Sequence, residues 1–186
     1  MKKLIVVGLM FVLPCFAFGE EIEKIPTTNI EKFMSKKGNM TIKEYYPIGD
    51  MSEKGNAVFE ALVLSDPSEK IAKTKGLRVE VSEENGRFMR PNAVFIDFEE
   101  LESLSKAVGY MADLSNKWNQ SKKDAYTEVT FSTTGDFKVG FYVKDKKQKM
   151  YIHAGVIGKT SLFADADHLE EVKKYIDSAI VLLKSK

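Results

Sequence analysis

The chain has 186 residues, with 28 basic and 27 acidic side chains, a formal net charge of +1, two histidines and a single cysteine. So even a balance sets up no single-sign field to draw in a polyanion or a membrane surface. One cysteine excludes an intrachain disulfide framework.

Residues 1–19 have the layout of a secretory signal. Lys2 and Lys3 form a charged start, residues 4–13 an apolar stretch too short to span a bilayer, and Ala17 and Gly19 the small residues of a cleavage site. Cleavage there makes Glu20 the first residue. It leaves 167 residues with 26 basic and 27 acidic side chains and no cysteine. Cys15 raises a lipid-anchored alternative, but Pro14 stands where a lipobox needs a small residue. A thiol-free mature chain fits a bacterial periplasm or the exterior, so the expected location is periplasmic or secreted. No later apolar run is long enough to cross a membrane.

Residues 20–38 allow two readings. Thr28 and Glu31 have the spacing of a capping box for a short helix stopped by Gly38; the segment could equally be a loose arm. Strands follow at 40–46, 57–64 and about 77–82, the second nearly all apolar and the third alternating. Asn85 and Gly86 signal a hairpin into a short fourth strand at 87–90, which Pro91 ends.

Residues 95–111 predict an amphipathic helix. Asp97 and Glu100 have capping-box spacing. Leu101, Leu104, Val108 and Met111 share one face, and the pattern extends to Leu114 and Trp118. Residues 116–124 read as the join between halves.

The second half repeats this order. Residues 126–133 predict a strand, Thr134 and Gly135 a two-residue turn, and residues 137–144 the cleanest alternation in the chain. A polar turn at 145–148 leads to a strand ending near 156, then a short one at 159–162. A final helix covers about 166–183. A gapless shift of 68 maps Phe95 onto Phe163, Asp97 onto Asp165 and Leu101 onto Leu169. Leu104 and Val108 map onto Val172 and Ile176. The expected fold is α+β, a tandem ββββα repeat with antiparallel sheets and two helices packed on one face. Each half, about 39–118 and 124–186, is small for a core of its own, so residues 20–186 are expected to form one domain.

This order of elements resembles that of Whirly-type and Pur-type single-strand nucleic-acid binders. The resemblance lies in element order alone and implies single-strand binding. The export signal and balanced charge point away from it, since such binding draws on counterion release by basic patches.

Little in the sequence selects a reaction. His153 and His168 fall on different elements, and Asp165, Asp167 and His168 are adjacent at a helix start, where side chains diverge; no metal site or cofactor is expected. The run from Gly155 to Thr160 ends like a phosphate loop, but His153 stands where the first glycine belongs and no helix follows directly. There is no G-x-S-x-G elbow. Among 27 acidic residues nothing singles out a catalytic pair.

One grouping stands out. Lys138 and Tyr142 share the wet face of one strand, and Tyr151 and His153 that of the next; Arg78 from the first half joins them as a candidate ligand site. Aromatic rings and cations on an open sheet face can stack on a flat group and pair with an anion. The expected function is an exported, non-catalytic binding protein for a protein or small molecule. An enzyme with an unmarked carboxylate site and a single-strand binder are the alternatives.

Overall fold

A computed structural model describes residues 25–53, 55–68, 73–85, 88–121, 125–156 and 158–186. The expected signal at 1–19 lies outside the described residues. Two four-stranded antiparallel sheets, in strand orders β1-β2-β3-β4 and β5-β6-β7-β8, are each followed by a helix.

The first sheet comprises β1 (Ile42–Glu53), β2 (Gly55–Ser65), β3 (Thr74–Asn85) and β4 (Phe88–Asp97). A short helix, α1 (Asn29–Met34), precedes it, and α2 (Phe98–Ser121) follows. The second comprises β5 (Thr127–Ser132), β6 (Phe137–Lys144), β7 (Lys147–Ala154) and β8 (Thr160–Asp165). A 3-10 turn (Ala166–His168) leads from it into α3 (Leu169–Lys184).

The element order matches the sequence reading, and several boundaries do not. β1 runs through Pro47, where its register with β2 shifts at a bulge between Pro47 and Gly49. Edge strands tolerate proline because one row of N–H groups faces outward. The same reason carries β4 through Pro91, opposite Ser82, so the fourth strand has ten residues rather than four. Asn85 pairs with Phe88 across the expected hairpin; Gly86 lies outside the described residues. The β5–β6 connection is a four-residue turn closed by the Thr133 N–H on the Phe137 carbonyl, with Asp136 at φ 64°. The β6–β7 turn is only Asp145 and Lys146, both left-handed at φ 51° and 61°, as a type I′ hairpin requires. Residues 116–121, expected in the join, belong to α2.

Both helices turn one face inward. Leu101, Leu104 and Val108 of α2 and their 68-shifted counterparts Leu169, Val172 and Ile176 of α3 are all 0% exposed. One hydrophobic cluster draws on both sheets and both helices, including Phe59, Val79, Ile96, Phe137, Phe141 and Ile152. The helices reach across the halves. Trp118 of α2 packs on Phe141 of β6 at 5.3 Å, while Tyr175 of α3 packs on Phe59 of β2 at 5.2 Å. β8 lies against β3 and β2, so the sheets meet along their inner sides.

Of the two readings for the N-terminal segment, the structure takes the capped helix. The Thr28 hydroxyl accepts from the Glu31 N–H, and the Glu31 carboxylate accepts from the Thr28 N–H. The Asp97 carboxylate, expected to cap α2, instead accepts from the N–H groups of Asn29 and Ile30 at 2.7 and 3.1 Å. It thus pins α1 across the outer face of the first sheet, where Ile30, Phe33 and Met34 pack on Leu62, Leu64 and Phe95. Glu100, the other half of the expected box, accepts from the backbone and hydroxyl of Thr134.

Candidate outer-face binding site

The alternation of β5 to β8 sends one set of side chains into the core and the other outward. Cross-strand pairing fixes the outward set into three rows. Ser132, Lys138, His153 and Ser161 form one row; Thr130, Gly140, Tyr151 and Phe163 the next; Glu128, Tyr142, Lys149 and Asp165 the third. None of the described helices packs on these side chains: α2 and α3 lie on the inner side and α1 on the other sheet.

The middle row is built around a glycine. Tyr151 extends over Gly140 toward β5, and a Cβ at Gly140 would lie 2.6 Å from its hydroxyl and 2.4 Å from the Val129 carbonyl. A glycine inside a strand marks such a close approach. The Tyr151 hydroxyl donates to Glu128 at 2.5 Å and lies within hydrogen-bonding reach of the Thr130 hydroxyl. Tyr126 donates to the other Glu128 oxygen at 3.1 Å. His153 stacks on Tyr151 with ring centroids 4.4 Å apart, and Phe163 meets His153 edge-on at 5.9 Å. Tyr126 and Tyr142 sit side by side at 6.1 Å.

The electrostatics follow from this packing. Burial, reinforced by the bond to Glu128, pushes the Tyr151 hydroxyl up to about 12, so it stays protonated. The Tyr151 hydrogen bond in turn holds the Glu128 carboxyl below its usual range. Burial first, and then the positive charge of Lys159 and Lys138, push His153 down to about 4, so its ring is neutral at pH 7. Its Nδ1 is enclosed without a hydrogen bond of good geometry, although the Ile152 backbone is close enough to favour the protonated ring.

The five residues picked out by sequence divide into two groups. Lys138, Tyr142, Tyr151 and His153 share the outer face of the second sheet. Their expected exposure holds for Lys138 and fails for Tyr151, which is 3% exposed because it lies over Gly140 and under His153. Tyr142 and His153 are half-buried. Arg78 lies on the outer face of the first sheet and is bound there by Glu60 at 2.5 Å, by Glu80 and by the ring of Tyr45. Burial works against its charge, but the bonds to Glu60 and Glu80 prevail and raise its pKa.

Sequence reasoning missed Glu128, Thr130 and Phe163. Phe163 is 44% exposed and lies beyond the expected end of the last strand. Gly140 was the available signal: a glycine in the cleanest strand of the chain implies something lying across it.

His168 lies just past the Asp165 end of this face, 3.6 Å from Glu53 and 3.1 Å from Asp167. No group of three or more potential ligands is placed to hold a metal ion among the described residues. No helix among them is long and apolar enough to cross a membrane. No family model, curated protein or solved structure matches the chain.

Proposed function

We propose that this is an exported, non-catalytic binding protein, periplasmic or secreted, whose working surface is the outer face of the second sheet. The observation that carries this reading is the aromatic group on that face. Phe163, 44% exposed, packs against Tyr151 and His153, and Tyr126, 63% exposed, stands beside Tyr142 on the same face. Exposed rings held by a rigid sheet offer contact area with little ordering cost on binding. Export rests on the layout of residues 1–19, and the intact mass of the secreted protein should begin at Glu20.

The same geometry favours binding over catalysis. Tyr151 holds its proton too tightly to act as a nucleophile at neutral pH, and Glu128 is occupied by Tyr126 and Tyr151. A general base needs a free lone pair aimed at substrate and a pKa near the working pH.

A thermal-shift screen against soluble neutral and acidic polysaccharides, aromatic acids and dT oligonucleotides tests the reading. A ligand that binds only the native state raises Tm. The wild-type protein should respond to at least one class. Tyr142→Ala with Phe163→Ala should keep the basal Tm and lose the response. A response that survives both substitutions contradicts the proposal.

A further inference from the structure

The aromatic floor has a charged end. Lys138 is the cross-strand neighbour of His153, and Lys159 immediately precedes β8, whose Ser161 is the neighbour of His153 on its other side. Among the described residues neither ammonium has a carboxylate partner within ion-pair distance. Of the carboxylates farther along this face, Glu128 is held by Tyr126 and Tyr151, and Asp165, two rows away, by Lys149 at 2.6 Å. His153 between the two cations is neutral and offers no compensating charge. Two cations without a carboxylate partner at the end of a ring platform are placed to receive an anion from outside.

The remaining side chains narrow the chemistry of that outside group. A dry amphipathic helix is a poor occupant, because Tyr142 and the Lys149–Asp165 pair occupy the surface it would need. A single-stranded nucleic acid needs cations along its whole track. Here the two unpaired cations stand at one end, and Glu128 and Asp165 lie along the rest, where they can accept from hydroxyls that a DNA backbone lacks. A small inorganic anion would leave the rings unused. A chain of hydroxyl-rich sugar rings carrying carboxylates uses every part: the C–H faces of the rings on the aromatics, hydroxyls on the side chains of the third row, and the anion on the lysines.

We propose that the ligand of this face is an acidic glycan. Its sugar rings lie against Phe163 and Tyr142, and a sugar carboxylate pairs with Lys138 and Lys159. This rests on the reading that the second outer face is the working surface. Unlike a general aromatic platform, it demands an anion at one defined end.

Calorimetric titration of the mature protein with polygalacturonate, dextran and a dT oligonucleotide tests it. Polygalacturonate should bind, dextran more weakly, and the difference should shrink as salt is raised. Lys138→Gln with Lys159→Gln should weaken polygalacturonate binding by about tenfold or more and leave dextran unaffected. Both lysines are exposed, so the fold should tolerate the change. No binding of polygalacturonate, equal affinity for dextran, an unchanged affinity in the lysine variant, or tighter binding of the oligonucleotide each overturns the acidic-glycan inference. If dextran binds as tightly as polygalacturonate and Tyr142→Ala with Phe163→Ala removes it, the inference falls while the face remains the binding surface. Polygalacturonate binding untouched by either pair of substitutions places the site elsewhere and overturns both.

Discussion

Phe95 and Asp97 end the last strand of the first half, and Phe163 and Asp165 end that of the second. The inner sides of the two halves at this point are alike: the helices that follow bury matching residues completely. The outer sides have diverged. Asp97 is 8% exposed and holds the start of α1, which covers Phe95. Gly76, opposite Asp97, leaves room for Ile30, since a Cβ there would lie 2.4 Å from its tip. In the second half the residue opposite Asp165 is Lys149, and the two form an exposed ion pair. Next to Gly76 stands Leu62, and next to Lys149 stands Tyr142. One frame thus carries an outer face strapped by the chain itself over Leu62, Gly76 and Phe95, with Arg78 held by Glu60, Glu80 and Tyr45 beside the strap, and a second outer face with no strap and Phe163 uncovered. A core constrains both copies in the same way, whereas an outer face is free to change with what it must touch.

The inner side should show no such divergence. Leu101→Ala and Leu169→Ala each empty a fully buried site, and each should cost about 2–5 kcal/mol in urea unfolding. A large loss in one and none in the other would break the equivalence of the halves.

The outer positions should separate. Phe95→Ala loses packing under α1 and should cost about 1–2 kcal/mol. Asp97→Ala, which frees two helix N–H groups, should cost about 1–2 kcal/mol. Phe163→Ala and Asp165→Ala should each change stability by less than about 0.5 kcal/mol, since one ring is exposed and the other group belongs to a surface ion pair. Equal costs at the paired positions would show that the second face is as structural as the first.

Gly140→Ala acts from inside the second outer face. The added methyl would meet the Tyr151 ring and the Val129 carbonyl, for a cost of about 1–3 kcal/mol. It should also part Tyr151 from Glu128, so that the tyrosine titrates nearer its ordinary value than about 12. A spectrophotometric titration unchanged by the substitution would contradict the placement of Tyr151 over Gly140.

The effect of His153 is smaller and depends on pH. Its folded-state pKa, about 4, lies below the ordinary value near 6.5, so the unfolded chain takes up its proton first. The contribution of the neutral ring is complete above about pH 6.5 and is lost as pH falls toward 4. The groups acting on the ring are Lys138 and Lys159, which oppose protonation, and Glu128 and the Ile152 backbone, which favour it. His153→Phe should flatten the decline of Tm between pH 6.5 and 4.5. An identical decline in both proteins would assign it to the carboxylates instead.

The inner architecture was legible because apolar periodicity reports burial directly. Leu101 to Met111 and their counterparts named the correct faces, and the alternation from Phe137 to Lys144 named the correct strand. Boundaries failed where a local signal met tertiary context. Pro91 reads as a stop, yet an edge strand absorbs it. Asp97 reads as the cap of the next helix, yet its carboxylate serves a helix 68 residues earlier, a pairing that no local spacing encodes. The site was half legible. Alternation put Lys138, Tyr142, Tyr151 and His153 on one face, but the burial of Tyr151 depends on what its cross-strand neighbours leave open. Arg78 matched by residue type only and sits on the other sheet.

The proposed division of roles gives the second outer face the binding work and the first a structural one. Amide chemical-shift mapping, with the compound that raises Tm most, tests this most directly. Shifts should concentrate at residues 138–142, 149–153 and 161–165, with β2, β3 and α1 silent. Shifts gathered around Leu62, Gly76 and Arg78, or along α2 and α3, would contradict it.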